Sequence, residues 1–359
     1  MTAVKSAAPS PPRAPSVANL APASFGMVMA TGILSIASWH LGFMLLAKAL
    51  FALNLALYAI LWVLYLIRLV RYPERLLTDF RSHMKGPGFF TLVAGTGVLG
   101  SQILLLTGQL HIALGFLLVA TALVILLTYS IFAIFTIKEN KPSLDRGING
   151  GWLLAVVATQ SIAVLAALIA ARSGHHWHLH LNFLALCTWL FGGMLYIWMM
   201  SLIFYRYTFL VFHPDDLEPP YWINMGAMAI STLAGTLLCI NADQAPLLHD
   251  MAPFIKGFTI FYWATGSWWI PMLLVLGVWR YVCKRTPLTY DPLYWGGVFP
   301  LGMYAVSTFE LNAVLDLPFL SWLPVLFFYI ALLAWSLTFL GMVVHLRTLF
   351  TGRRQRAKT

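Results

Sequence analysis

One acidic residue, Glu310, lies well inside an apolar run of this sequence. A charged side chain at membrane depth is costly and commonly functional, so Glu310 is a candidate protonatable coupling group. It shares a helical face with Phe299, Met303 and Val306, and eleven residues separate it from Phe299 by about three turns, or about 16 Å. A simpler alternative is an ion pair with Lys256 or Arg172 near the outer surface, or exposure at the helix end.

Histidine and cysteine offer little chemistry. The ten histidines fall at predicted helix ends or in loops, so facing pairs that would hold a haem are not predicted. The run from His175 to His180 has alternating imidazoles that could bind a transition metal, or it is a polar outer loop. The three cysteines are few and widely spaced, which predicts neither disulfides nor a thiol metal site: Cys187, Cys239 and Cys283. The sequence has no phosphate-binding loop, dinucleotide fingerprint or nucleophile elbow, so we predict no cofactor and no enzyme.

The elements that carry these residues must be membrane helices. The chain has 359 residues, of which 60% are hydrophobic and 9% charged, with a mean hydropathy of +0.81. A soluble domain has about 25% charged residues, so a soluble enzyme, a disordered chain and a fibrous repeat are excluded. The long apolar runs exclude a β-barrel. The net charge of +10 does not indicate nucleic acid, because the basic residues lie between apolar runs.

Ten runs are long enough to cross about 30 Å of hydrocarbon. They lie near 23–41, 43–70, 88–107, 110–137, 148–170, 181–212, 221–241, 252–284, 292–315 and 318–350. The first run leads straight into the second without a small-residue cleavage site, which favours a span over a signal peptide. We predict a disordered cytoplasmic tail over 1–22, a ten-helix domain over 23–350 and a basic cytoplasmic tail over 351–359.

Orientation follows from the basic residues. With both termini in the cytoplasm, nineteen of the 22 lysines and arginines lie inside, and only Lys48, Arg172 and Lys256 lie outside. Most of these charges are interpreted as topology signals and lipid contacts. We therefore predict a multi-pass protein of the inner (plasma) membrane with both termini cytoplasmic.

Odd and even spans differ. The odd spans are short and glycine-rich, the even spans are long, and an aromatic or glycine pair opens each odd span at hairpin-length intervals. Glycine permits close helix contact, and long apolar helices suit a lipid-facing layer. This predicts five helical hairpins whose odd helices form an inner ring that can leave a central hole; the alternative is that the glycines only mediate packing. Pro300, next to Gly302, is predicted to kink span 9.

Two stretches resemble a known family. Phe25-Gly26-Met27-Val28-Met29-Ala30-Thr31-Gly32 and Trp295-Gly296-Gly297-Val298-Phe299-Pro300-Leu301-Gly302-Met303-Tyr304 are similar to the tellurite-resistance/dicarboxylate transporter family, as is Trp268-Trp269-Ile270-Pro271. That family includes slow-type anion channels, malate permeases and sulfite efflux pumps. The resemblance covers residues 20–350. It implies a quasi-five-fold, all-α bundle, usually a homotrimer, with a pore in each protomer lined by the odd helices.

The resemblance also implies site residues. Phe299 would plug the pore, and Gly26 would make room opposite it. Further pore-lining candidates are the hydroxyls at comparable depth on the other odd spans and two apolar residues of span 9: Thr31, Thr96, Thr159, Ser231, Met303 and Val306. Such hydroxyls could solvate an anion without binding it tightly, as conduction requires.

The resulting functional prediction is a membrane anion channel with no nucleic-acid partner. Small anions would pass through a pore gated by Phe299, with dicarboxylates such as malate or succinate first and sulfite, chloride and nitrate as other substrates. The first alternative is a proton-coupled dicarboxylate or sulfite exporter that uses Glu310. A membrane redox enzyme and a structural or sensor protein are the remaining alternatives.

Overall fold

The computed structural model describes residues 17–287 and 290–356, and regular structure in this part of the chain is helical. Thirteen α-helices follow one another: α1 (Gly26–His40), α2 (Met44–Arg71), α3 (Pro73–Phe80), α4 (Phe90–Thr107), α5 (Leu110–Ile137), α6 (Leu144–Gly147), α7 (Leu154–Ala170), α8 (His175–Phe209), α9 (Ile223–Ile240), α10 (Pro246–Asp250), α11 (Ala252–Val278), α12 (Trp295–Leu315) and α13 (Trp322–Arg356). Most of the predicted N-terminal tail, residues 1–16, and the last three residues of the basic tail lie outside the described residues.

Ten helices of the described part are long and apolar enough to span a membrane, which confirms the predicted spans within a few residues. The odd spans are α1, α4, α7, α9 and α12, and the even spans are α2, α5, α8, α11 and α13. In the most apolar stretch of each odd span 67–94% of residues are buried, against 17–50% in the even spans. The short helices therefore form the inner layer and the long helices the outer layer.

The inner helices pack on one another in chain order. α1 contacts α4, α4 contacts α7, α7 contacts α9, α9 contacts α12, and α12 returns to α1. These contacts close a ring. Each outer helix packs on the inner helix that precedes it, so each hairpin supplies one helix to each layer. The quasi-five-fold symmetry of the ring and a pore along its axis stay predictions.

Glycine sets how closely two inner helices approach. A Cβ atom at Gly226 on α9 would lie 2.6 Å from Cγ of Pro300 on α12, and one at Gly302 would lie 2.9 Å from Cγ2 of Ile33 on α1. Both distances are too short for a side chain, so these positions require glycine for close packing. The glycines that sequence reasoning assigned to the inner layer thus stabilise contacts along the ring.

Two buried arginines join the ends of the outer helices α2 and α8 to neighbouring segments through ion pairs and hydrogen bonds. Arg206, near the end of α8, donates to the Ile148 carbonyl at 2.9 Å and to the Tyr221 hydroxyl, and pairs with Asp216 at 3.3 Å. Arg68 on α2 pairs with Asp79, and its side chain is only 1% exposed. Sequence reasoning interpreted these arginines as topology signals; the structure gives them internal partners, because an unpaired buried charge would be very costly.

Candidate functional site

A small cavity lies where the five inner helices begin. It is lined by residues of all five inner segments: Ala23, Gly26, Met29, Thr91, Leu154, Pro220, Ile223, Pro292, Leu293, Trp295, Gly296 and Phe299. Its volume is about 20 Å³, which is room for about one water molecule. The cavity is therefore too small to hold a dicarboxylate or a hydrated inorganic ion in this conformation.

The helix starts around this cavity share a local design. A 3-10 turn that begins with proline or glycine leads into each inner helix: Pro22–Phe25, Gly86–Phe89, Gly150–Leu153, Pro219–Trp222 and Pro292–Tyr294. Proline and glycine suit these entry turns because the first amides of a helix have no internal acceptor. Since each even span returns the chain across the bundle, the five odd helices run in parallel. Their positive dipole ends therefore meet at the cavity.

The lining side chains are mostly apolar. Thr91 is a polar exception, and its hydroxyl is 2.8 Å from the Gly88 carbonyl and 3.2 Å from the Pro22 carbonyl. No ionisable residue is among the twelve that line the cavity. The positive potential here comes from backbone dipoles rather than from a side-chain cation, an arrangement that attracts anions without holding them in a tight ion pair.

Phe299 and Gly26, which the resemblance placed together, line this same cavity. Phe299 is 1% exposed and lies in the second turn of α12, and Gly26 is the first residue of α1. A Cβ atom at Gly26 would lie 3.5 Å from Cβ of Trp295, an ordinary contact. Gly26 therefore faces the first turn of α12, one turn before Phe299, and an alanine would fit there.

Known proteins match this chain over nearly its whole length. Residues 19–343 match the SLAC1 family, described as voltage-dependent anion channel. The chain belongs to this family. It is 24% identical over 335 residues to an uncharacterized transporter of Methanocaldococcus jannaschii, covering 91% of this chain and 95% of the relative. An uncharacterized membrane protein of Mycobacterium tuberculosis is 38% identical over 152 residues, which cover 42% of this chain and 77% of that protein.

Membership of the voltage-dependent anion channel family confirms the predicted resemblance. It makes this protein a membrane channel or transporter whose substrates are small anions. A second uncharacterized transporter of Methanocaldococcus jannaschii is also 24% identical over 335 residues. Full-length similarity to proteins described as transporters agrees with a shared ten-span architecture.

The predicted hydroxyls of this family member divide into two groups, and neither group is among the residues that line the cavity. The Thr31 hydroxyl accepts a hydrogen bond from Nε1 of Trp335 on α13 at 3.0 Å. The Thr96 hydroxyl is 3.0 Å from the Tyr58 hydroxyl on α2. Both contacts join the inner layer to the outer layer, so these two threonines face away from the ring axis.

The other candidates are buried at several places in the anion channel fold. Thr159 and Ser231 donate to the carbonyls four residues earlier, at 2.9 and 2.7 Å. Met303 is buried in α12. Val306 lines a separate small cavity that also includes Pro324 of α13. Pro300 lies inside α12, where it lacks the amide hydrogen that would pair with the Gly296 carbonyl.

Glu310 has a partner that sequence reasoning missed. One of its carboxylate oxygens lies 3.3 Å from Nδ1 of His40, and the two side chains are 19% and 10% exposed. The predicted partners Lys256 and Arg172 were wrong; Arg172 instead donates to the Leu104 carbonyl at 2.6 Å. His40 ends α1 and Glu310 lies near the end of α12, so the pair joins the first and last inner helices.

The predicted metal interpretation of the histidine run gains no support. Among the described residues there is no group of three or more histidine, cysteine or acidic side chains close enough to bind one ion. The side chains of His175 and His176 lie outside the described residues. His178 is buried and contacts the amide nitrogen of Asn182 at 3.2 Å, which gives that imidazole a packing role.

Proposed function

We propose that this protein is a channel for small anions, with dicarboxylates such as malate or succinate as its first substrates and Phe299 as the gate. The observation that carries the proposal is the cavity at the positive ends of five parallel helices, which both Phe299 and Gly26 line. The Phe299 ring, buried there, leaves no room for an ion, so conduction requires that this ring move.

The charge distribution favours weak binding and rapid release. Field from the helix dipoles is strongest within the first turn, where the cavity lies, and favours anions over cations. An ion that met a lysine or arginine in the narrow part would be held more tightly, and conduction needs sites that are left easily. The cytoplasmic excess of basic residues raises the local anion concentration at the predicted inner mouth.

The proposal includes the predicted orientation in the membrane and the predicted homotrimer. Placing both termini in the cytoplasm puts the Phe299 cavity on the cytoplasmic side of the plasma membrane. Each protomer has its own ring of inner helices and needs no partner to complete the route. The homotrimer implied by the family resemblance would therefore place three separate pores side by side, with outer helices in contact with lipid or neighbouring copies.

Anion flux in proteoliposomes tests the gate. Phe299→Ala is expected to raise flux by about tenfold or more, because removing the ring opens the narrow part of the route. The measurement compares chloride, nitrate, sulfite, malate and succinate gradients, with charge movement recorded by a voltage-sensitive dye. The matched control is Leu311→Ala, which truncates a buried apolar side chain of the same helix, outside the cavity and outside the set of predicted pore-lining residues.

Each result decides something. A rise in Phe299→Ala alone supports the gate, and the order of the anions identifies the substrate class. An equal rise in both variants means that α12 has merely loosened. No rise in a folded, reconstituted Phe299→Ala protein contradicts the gate.

A second candidate is a proton-coupled exporter of dicarboxylates or sulfite. The contact between His40 and Glu310 favours it, because a paired imidazole and carboxylate can exchange a proton. Both groups lie at the predicted outer end, away from the Phe299 cavity. Coupling would then require that protonation at one end change the other, through α1 and α12.

A further inference from the structure

A groove of about 710 Å³ lies between two outer helices on the surface of the bundle. One wall is α11 and the other is α13, and their exposed apolar residues Leu274, Val278 and Leu337 line it. Gly277 also lines it, and a Cβ atom there would meet no atom within 4 Å. In a membrane this groove faces the hydrocarbon, so its occupant must be apolar over most of its length.

The floor of the groove is the turn of α12 that carries Phe299. Gly297, Val298 and Leu301 line the groove, whereas Gly296 and Phe299 line the small cavity. One helical turn therefore separates the two spaces. Whatever fills the groove contacts the side of α12 that faces away from the cavity, next to Pro300.

The mouth of the groove is polar and basic. Tyr281, Tyr290 and Tyr294 line this end, where α11 finishes. Lys284 and Arg285 follow and are exposed. The half-buried Arg280 donates to the Leu217 carbonyl and lies 5.2 Å from the centre of the Tyr281 ring, while its Nε atom is buried without a hydrogen-bond partner. Three cations within six residues thus lie next to the groove-lining residues Tyr281 and Val282 in the chain, beside the groove rather than in its lining.

Four acids lie on the same side: Glu218, Asp291, and Asp215 and Asp216 on the turn Pro214–Asp216, which packs against Trp279–Cys283. Asp216 is paired with Arg206 at 3.3 Å. Glu218 lines the mouth and accepts a hydrogen bond from the Asn149 amide at 2.9 Å. Burial raises the pKa of Glu218 above its ordinary value, which weakens its opposition to an anion. The Asp291 carboxylate accepts from the Leu293 amide at 2.7 Å, as a cap on the turn that leads into α12. Glu218, Asp216 and Asp291 thus have partners within the protein, whereas Lys284 and Arg285 are exposed.

We propose that this groove binds one anionic phospholipid of the cytoplasmic leaflet. An acyl chain would lie between α11 and α13, and the phosphate would lie among Arg280, Lys284 and Arg285. The apolar walls and the basic mouth match the two ends of this ligand, and anionic lipid is enriched on the side where basic residues gather. Its effect on anion flux, through α12 and Phe299, rests on the proposed function; the binding itself does not.

Native mass spectrometry of the purified full-length protein tests the binding. The probes are phosphatidylglycerol and phosphatidylethanolamine, added separately after delipidation. Gly277→Phe places a ring in the groove from a position where a Cβ atom meets no other atom within 4 Å. This variant is expected to bind phosphatidylglycerol about tenfold more weakly. The matched control is Gly257→Phe, because Gly257 is an exposed glycine of the same helix, outside the groove, with nothing within 4 Å of its Cβ position.

A second pair of variants tests the head group. Lys284→Gln combined with Arg285→Gln leaves the groove itself unaltered and removes two cations. Each basic residue near a membrane surface contributes about fivefold to the binding of anionic lipid, so retention of phosphatidylglycerol falls while that of phosphatidylethanolamine is unchanged. Arg71→Gln with Lys141→Gln is the control, since these exposed cations lie on other hairpins.

The outcomes separate this inference from the proposed function. Loss of phosphatidylglycerol in Gly277→Phe and in the Lys284, Arg285 pair, with both controls unchanged, supports it. Equal binding of phosphatidylglycerol and phosphatidylethanolamine by the wild-type protein contradicts recognition of an anionic head group. Unchanged binding of phosphatidylglycerol by Gly277→Phe overturns the site. A change only in the number of copies per particle also overturns it, and assigns the groove to contacts between copies. An unchanged flux in Phe299→Ala would defeat the gate without altering any of these readings.

Discussion

The two ends of the inner ring are built from different chemistry. At the end where the five helices begin, apolar side chains surround a closed cavity, and the charge comes from backbone dipoles. At the other end of α1 and α12, an imidazole and a carboxylate form a pair. The first arrangement can select by charge and size without holding an ion, whereas the second can hold a proton. In the proposed function, anion selection is therefore assigned to the beginning of the helices, and the His40–Glu310 pair to the contact between the first and last inner helices.

The largest expected effect in this comparison comes from placing an acid in the cavity. Leu154 begins α7 and lines the cavity. In the Phe299→Ala background, Leu154→Glu should lower anion flux by about tenfold, because a carboxylate among the helix starts cancels their positive potential. The measurement is chloride and malate flux in proteoliposomes at neutral pH.

Leu154→Gln in the same background is the control for size and polarity. It keeps the shape of glutamate without the charge, and its flux should stay near that of Phe299→Ala. Equal losses in the two variants would mean that bulk alone blocks the cavity. The dipoles at the helix starts would then have no special role in selecting anions.

Sequence patterns predicted the layers of this fold well because hydropathy and glycine content report how deep a helix lies. Length and apolarity located all ten spans, and the short glycine-rich runs are the buried ones. Family motifs located Phe299 and Gly26, which line one cavity. Direction around a helix was harder to predict. Thr31 and Thr96 were chosen by depth alone, and depth does not give the direction of a side chain, because one residue turns a helix by about 100°. Both hydroxyls contact outer helices.

Long-range partners escaped sequence reasoning for another reason. His40 and Glu310 belong to the first and last hairpins, and only closure of the ring brings them together. Sequence reasoning interpreted Arg68 and Arg206 as topology charges, but each is followed by an acid ten or eleven residues later, Asp79 in α3 or Asp216 in a 3-10 turn. An arginine near a helix end with an acid about three helical turns later along the chain is a signal that could have found these pairs.

A moderate effect on stability is expected at the His40–Glu310 pair, which joins the first and last inner helices. Glu310→Gln should lower the free energy of unfolding by about 1 kcal/mol, because a largely buried charge-assisted contact becomes a neutral one. Thermal unfolding in detergent measures this loss. Asp250→Asn provides the control, because its contact with His249 involves side chains that are 85% and 73% exposed, so no measurable change is expected.

Glu310→Gln also distinguishes the two candidate functions, the anion channel and the proton-coupled exporter. A channel predicts that Glu310→Gln keeps anion flux within about twofold of wild type and that flux does not follow a proton gradient. Wild-type flux driven by a proton gradient, and lost in Glu310→Gln, would favour the proton-coupled exporter. The Phe299 end would then be an entry constriction rather than the functional centre.

The smallest effect on flux is expected for a substitution at Gly26, and it tests whether the cavity requires glycine at this position. Although Gly26 and Phe299 line the same space, the Cβ atom of an alanine at position 26 would contact Trp295 at 3.5 Å without a clash. Gly26→Ala should therefore change flux by less than about twofold, in wild type and in Phe299→Ala alike. Gly226→Ala is the informative contrast, since a Cβ there would lie 2.6 Å from Pro300 and should reduce the amount of folded protein. A tenfold change in flux in Gly26→Ala would instead mean that the conducting state brings α1 and α12 closer than this closed one, and that glycine at position 26 serves the open pore.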